Sequence, residues 1–296
     1  MIKRSIFKSR GLPYLLILPQ ILITITFFYW PAIQGILQSF KLTDPFGQRS
    51  KFVWFDNFTE LLVDPLYLKS VGITLTFSFG TAFVSISLGL IIAAMANRAL
   101  RFKSLIRTML IWPYAVAPVI SGILWLFLLH PSFGVVAISM KKYFQIDWNP
   151  VLDGGDAMAM IIMASAWKEI SYNFVFFVAG MQAIPKSLIE AAALDGAGPF
   201  TRFFRISLPL LSPTLFFLMV MNIIYAFFET FGIIHVITQG GPGGSTNTMV
   251  YKIYQDGFVG LNLGSSAAQS VLLMMLIIGI TIIQFKYVEK KVQYTG

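Results

Sequence analysis

Residues 187–213 read SLIEAAALDGAGPFTRFFRISLPLLSP, a short polar, helix-forming insert between two long apolar runs. Ser187 and Glu190 stand at the S-x-x-E spacing of a capping box, which predicts a helix beginning at Leu188. Ala191, Ala192 and Ala193 give that helix a nearly flat face, and Gly196 falls where a helix stop uses a left-handed residue. Gly198 and Pro199 then turn the chain, with Pro199 suited to the first position of a second helix carrying Phe200, Phe203 and Phe204. Small side chains on the first helix permit close approach by a partner, while the aromatics of the second anchor it or fill a groove. The competing reading is a pair of interfacial helices lying on lipid.

The flanking sequence decides between soluble and membrane settings. Hydrophobic residues make up 56% of the 296 and charged residues only 12%, and the mean hydropathy is +0.74, outside the range of soluble globular domains. The chain has no cysteine, which excludes a disulfide framework, an iron–sulfur cluster and a thiolate zinc site. A bilayer core of roughly 30 Å needs about 20 apolar residues in a helix, because only helices and closed barrels satisfy every backbone group there. Six runs have that length, at about 12–33, 71–96, 105–129, 157–184, 209–230 and 267–287. None alternates as a barrel strand does. The fold class expected is an all-α integral membrane protein of six transmembrane helices, a single domain over 1–296.

Short cytoplasmic loops hold an excess of Lys and Arg. Lys3, Arg4, Lys8 and Arg10, then Arg98, Arg101, Lys103 and Arg107, then Lys186, Arg202 and Arg205, then Lys286, Lys290 and Lys291 all fall on one side, with only Glu190, Asp195 and Glu289 as acids. On the other side the cations Lys41, Arg49, Lys51, Lys69, Lys141, Lys142 and Lys252 are outnumbered by the acids Asp44, Asp56, Glu60, Asp64, Asp147, Asp153, Asp156 and Asp256. Both termini and the 186–208 loop are therefore expected to be cytoplasmic. The net charge of +9 is mostly this asymmetry, and no nucleic-acid partner is implied.

A basic start before an apolar run also begins a signal peptide. Here the run is too long, holds Pro13, Pro19 and Pro31, and ends in Phe27, Phe28, Tyr29 and Trp30, so an uncleaved anchor is expected. Ser85, Gly89 and Ala93 recur at four-residue spacing and let another helix come close. Pro113 and Pro118 interrupt the third run and bend or break it, as broken helices beside transport cavities are.

Together these stretches resemble a known family. EAAALDGAGPFTRFFRISLP carries the E-A-A, G and I-x-L-P pattern of binding-protein-dependent ABC importer permeases at Glu190, Ala191, Ala192, Gly196, Ile206, Leu208 and Pro209. WKEISYNFVFFVAGMQAIP, ITQGGPGGSTNTMVYKIYQDGF, GSSAAQSVLLMM, LPYLLILPQ and WPYAVAPVISGILWLFL extend the likeness to the sugar-type branch over nearly the whole chain. Within that branch the likeness is to permeases for sn-glycerol-3-phosphate.

The resemblance implies a subunit of a bacterial inner-membrane importer that pairs with a second, homologous permease, an ATPase homodimer and an external solute-binding protein. It makes the 186–208 loop a coupling helix seated on the ATPase through Glu190, Ala191, Ala192, Asp195 and Gly196. No cofactor is then bound by this chain, ATP and Mg belonging to the ATPase. That agrees with the sequence, where no G-x-x-x-x-G-K-[ST] loop occurs and the glycine-rich GGPGGST at 240–246 lacks the lysine. The implied solute is sn-glycerol-3-phosphate or a glycerophosphodiester; the alternative is a neutral di- or oligosaccharide.

Polar groups inside the fourth and fifth runs are the candidate substrate path. A charge near the bilayer centre costs roughly 2.5–3.5 kcal/mol on insertion scales, so Lys168 and Glu169 are expected to face protein or water. Lys168 shares a side with Tyr172 and Glu169 with Asn173. For a phosphate ester Lys168 is the useful cation, with Glu169 turned toward another helix; the alternative is an interhelical polar network. Asn222, Tyr225 and Glu229 share a side of the fifth run. A membrane-embedded phosphotransferase would need clustered carboxylates for a metal, and Asp195 has no companion. His130 and His235 have no second ligand at metal spacing, so neither a catalytic nor a metal site is expected.

Overall fold

The structure is a computed structural model describing residues 11–44, 49–97 and 103–291. The cations Lys3, Arg4, Lys8, Arg10, Arg98 and Arg101, on which part of the orientation argument rests, lie outside the described residues. In chain order the elements are α1 (Leu12–Thr24), a π-helical turn (Ile25–Tyr29), α2 (Trp30–Ser39), β1 (Lys41–Thr43), β2 (Ser50–Phe52), α3 (Asp56–Val63) and α4 (Pro65–Asn97). Then come α5 (Lys103–Ile111), a 3₁₀ turn (Trp112–Ala115), α6 (Pro118–Leu129), α7 (Val135–Phe144), α8 (Gly154–Ala183), α9 (Lys186–Leu194) and α10 (Pro199–Arg202). A π-helical turn (Phe203–Ser207), α11 (Leu208–Leu210), α12 (Ser212–Phe228), α13 (Phe231–Ile237), α14 (Met249–Tyr254) and α15 (Leu263–Ile283), extended by π and 3₁₀ turns to Lys291, complete the chain.

Three helices are long and apolar enough to cross a bilayer, Leu12–Ser39, Pro65–Ala96 and Leu263–Val288. Three bent pairs meet the same test together: Arg107–Ala115 with Pro118–Leu129, Gly154–Ala183 with Lys186–Leu194, and Pro199–Leu210 with Ser212–Phe228. The described residues thus hold three to six crossings, six when each bent pair counts as one. Pro19 sits inside α1, where it removes one backbone bond. No residue of α1 is buried, as a helix apolar all round requires when lipid or another chain surrounds it.

The described residues form two compact units. One comprises the residues up to Val63 with Ile253–Leu272. In it β1 pairs antiparallel with β2, Lys41 opposite Phe52 and Thr43 opposite Ser50. Buried Asn57 donates to the carbonyls of Ser39 and Lys41, at 2.8 and 3.1 Å, tying α3 to the end of α2. Phe40 packs on Phe52, Phe55 and Phe58.

The other unit, Asp64–Lys252 with the residues from Leu273 on, holds the broken spans and the 186–208 loop. Its spine is α4 against α8. Gly89 faces Asn173 so closely that a Cβ there would lie 2.7 Å from the Asn173 Cβ, and Ser85 and Ala93 are fully buried. The small-residue spacing in α4 is therefore a packing seam. Phe174, Phe177 and Met181 of α8 join Ala93, Leu211 and Leu218 in one apolar core.

Candidate functional site

α5 and α6 are halves of one span bent by 108°. The cause is local. Pro113 and Pro118 have no N–H to donate, and a residue before proline is pushed to extended geometry; Ala117 lies at φ −60°, ψ 143° and Val116 at φ −77°, ψ 130°. Ala117 N-caps α6, its carbonyl accepting from Ser121 N–H at 3.0 Å, but the Val116 carbonyl has no helical partner inside an apolar bundle, which is costly unless another group reaches it.

Lys168 reaches it. Its side chain is 6% exposed, and its ammonium donates to the Val116 carbonyl at the break. The turn of α8 around it braces both arms. Trp167 meets Trp112 on one side and Trp125 on the other edge-on, with centroids 6.2 and 6.4 Å apart. Ser121 of α6 donates to the Ala164 carbonyl at 3.3 Å, and Tyr172 stacks on Tyr114 at 5.6 Å. Sequence periodicity could place Lys168 on a face with Tyr172, but the Val116 carbonyl carries no sequence signal. The three tryptophans were legible as aromatics only.

Glu169 is buried on the neighbouring face of α8, within electrostatic reach of both Lys168 and Glu229. Glu229 is the exposed C-cap of α12. Tyr225, one turn earlier, is buried beside Glu169, Glu229 and Tyr114, and its hydroxyl has no hydrogen-bond partner. Lys168 and Tyr172 touch the break through Val116 and Tyr114, and Glu169, Tyr225 and Glu229 lie within electrostatic reach of this group. One cation, two acids and two phenols can bind a polar solute; they supply no nucleophile paired with a base.

Asn173 and Asn222 stand apart from that group. Both are fully buried and exchange two hydrogen bonds between their amides, Asn173 Nδ2 donating to Asn222 Oδ1 at 3.1 Å and Asn222 Nδ2 to Asn173 Oδ1 at 2.7 Å. Ser85 of α4 donates to the same Asn222 oxygen at 2.6 Å. The amide pair locks α4, α8 and α12 together.

The 186–208 loop corrects one expectation and meets another. α9 begins at Lys186, behind Pro185 as N-cap, with no side-chain cap bond, so the Ser187–Glu190 capping box does not form. Pro185, extended at φ −57° and ψ 125°, starts the helix two residues early and puts Ser187 inside its first turn, beyond the cap position. The stop is as expected. Gly196 has φ +80°, Ala197 N–H donates to the Ala192 carbonyl at 2.9 Å and Gly196 N–H to that of Ala193 at 3.1 Å, the two bonds of a Schellman turn. Pro199 opens α10. Glu190, Ala191 and Asp195 are exposed and Ala192 half-buried, Leu194 is 90% and Phe200 75% exposed, and nothing lies within 4 Å of where a Gly196 Cβ would stand. These side chains are left uncovered by the rest of the bundle.

A largely helical multi-pass bundle with broken spans and a helical loop between two of them is the architecture of a membrane transport component. Residues 85–294 match the family described as binding-protein-dependent transport system inner membrane component, and the chain belongs to that family. It is a multi-pass inner-membrane transport component and not an enzyme. Over 292 residues it is 55% identical to the "sn-glycerol-3-phosphate transport system permease protein UgpA" of Rhizobium meliloti, covering 99% of each chain. A protein of the same name from Brucella abortus is 55% identical over 289 residues, 98% of each. A solved bacterial ABC transporter involved in the import of the acidic polysaccharide alginate overlays with a TM-score of 0.81 at 22% identity, covering 94% of this chain and 95% of that one; this likeness is one of fold.

Proposed function

We propose that this chain is a permease subunit of an ATP-driven importer for sn-glycerol-3-phosphate or glycerophosphodiesters, with both termini and the 186–208 loop on the cytoplasmic side. The observation that carries the reading is the 55% identity across 99% of the chain to a permease named for that solute. A second, homologous permease completes the pore, an ATPase homodimer burns ATP and holds Mg, and an external binding protein delivers solute. α1, uncovered along its length, meets lipid and that second permease. Glu190, Ala191, Ala192, Asp195 and Gly196 form the docking face, so closure of the ATPase pushes α9 and α10 as a lever.

The solute path runs past the break between α5 and α6. Lys168 supplies the cation that a phosphate ester of roughly −1.5 to −2 charges needs. Its present partner is a carbonyl, so the solute phosphate competes with Val116 for the ammonium, and engagement loosens the break. Tyr172 and Tyr225 offer hydroxyls, while Glu169 and Glu229 accept from glycerol hydroxyls. Asn173 and Asn222 hold the path's walls in register.

The test is uptake and ATPase stimulation in vesicles containing the full complex, comparing sn-glycerol-3-phosphate with maltose-like sugars. The phosphate ester is expected to be transported and to stimulate hydrolysis, and Lys168→Ala to reduce both at least tenfold, about 1.4 kcal/mol of lost binding. Transport of the sugar alone overturns the solute assignment.

A further inference from the structure

A groove of about 850 Å³ opens beside the 186–208 loop, between the end of α4, the end of α8, and α9 with α10. Its walls are aliphatic and aromatic: Leu90, Ile91 and Met95 from α4, Ile189 from α9, and Phe203 after α10. Ile91 and Met95 are 53% and 64% exposed, so no side chain of the unit fills the space between them. The charged residues of its lining are Lys186 and Arg202 against the single acid Glu190, with Ser87, Gln182 and Ser207 as neutral polar groups. The Nε of Arg202 is enclosed without a hydrogen-bond acceptor. An enclosed guanidinium N–H with no acceptor is costly, and an anion on the rest of that side chain offsets the charge left uncompensated.

We infer that this groove binds an anionic phospholipid, one acyl chain lying along Leu90, Ile91 and Met95 and the phosphate seated on Arg202 and Lys186. The two halves of the ligand are argued separately. Apolar walls have no use for a free phosphate or a sugar, and two cations facing one acid favour a net-negative headgroup over a zwitterionic one whose own cation already neutralises its phosphate. Basic pockets between membrane helices at the cytoplasmic face are where anionic headgroups collect. The inference rests on the proposed cytoplasmic placement of the 186–208 loop. The consequence is that lipid packs under the lever: an acyl chain between α4 and α9 couples the position of α9 and α10 to the composition of the inner leaflet, and ATP-driven transport becomes dependent on anionic lipid.

The experiment uses the assembled complex in nanodiscs with photoactivatable phosphatidylglycerol or phosphatidylcholine, followed by peptide mapping. The phosphatidylglycerol probe is expected to label peptides spanning 87–95 and 184–204 at least fivefold more than the phosphatidylcholine probe. Arg202→Gln with Lys186→Gln is expected to abolish that preference, and Arg202→Lys to retain most of it. Met95→Trp fills the groove while leaving both cations, and is expected to cut labelling by both probes; it serves where the charge variants fail to assemble. Equal labelling by the two probes, labelling untouched by Met95→Trp, or displacement by millimolar inorganic phosphate overturns the proposal. So does a disulfide between Met95→Cys and a cysteine of the second permease formed in every complex, since protein then covers the groove. Failure of the docking reading gives a different pattern: a crosslinker at Ala192 that never captures the ATPase, with the lipid preference intact.

Discussion

Asn222 uses every hydrogen-bonding site of its amide inside the bundle. Its oxygen accepts from Ser85 and Asn173, and its nitrogen donates to Asn173 and to the Leu218 carbonyl. Asn222→Leu orphans the Asn173 amide, and a buried unmade bond costs about 1–3 kcal/mol, whereas pair couplings measured between membrane helices average only about 0.6 kcal/mol. The single variant is therefore expected to lower the thermal midpoint of the purified complex, followed by tryptophan fluorescence, by several degrees. Asn173→Leu combined with Asn222→Leu is expected to lose less than the sum of the two. Additive losses would mean the amides do not act as a pair. Four-residue spacing made the faces of Asn173 and Asn222 legible in the sequence, but not what those faces meet. Ser85 and Asn222 are 137 positions apart, and only packing brings them together. Lys168 shows the same divide: that a buried cation needs a partner was readable, and that the partner is a carbonyl freed by two prolines was not.

Among the elements, α9 separates what backbone chemistry announces from what it leaves open. Its end was legible because few residues other than glycine tolerate φ +80° at no steric cost. Its start was not, because Ser187–Glu190 matches a capping box by spacing while Pro185 sets the helix going first. Ser187→Ala therefore has no cap bond to lose and is expected to change stability by less than about 0.5 kcal/mol, against the roughly 1 kcal/mol of a true cap; a thermal melt of the complex decides. Gly196 is the sharper probe of the lever. Aspartate and asparagine both visit the left-handed region more readily than other side chains, and the space around Gly196 is open, so neither clashes within this chain. Gly196→Asp is expected to leave the protein inserted and the ATPase of its complex hydrolysing ATP while uptake falls at least tenfold. Gly196→Asn, equal in bulk without the charge, is expected to retain more transport. Normal uptake by the aspartate variant in reconstituted vesicles would remove this turn from the docking face.

The helical crossings were legible from apolar length, and the 108° break from two prolines five residues apart, because both depend on backbone hydrogen bonds that lipid cannot replace. The side of the membrane on which each loop lies depends on charges summed over many loops, including N-terminal and 98–101 cations outside the described residues, and geometry alone gives no direction across a bilayer. Labelling supplies it. Leu194, at the end of α9, is 90% exposed and Leu152, between α7 and α8, 78% exposed, so a cysteine at either place is reachable without unfolding anything. They lie beyond opposite ends of α8, a 30-residue helix that spans about 45 Å at 1.5 Å per residue, more than the hydrocarbon core. In intact cells lacking the ATPase, a membrane-impermeant maleimide is expected to label Leu152→Cys at once and Leu194→Cys only after the inner membrane is permeabilised. Both sites reacting from outside would mean that α8 does not cross, and an α9 on the outer face could carry no force from an ATPase within. Reversed accessibility would leave the fold intact and move every docking surface argued above to the wrong side.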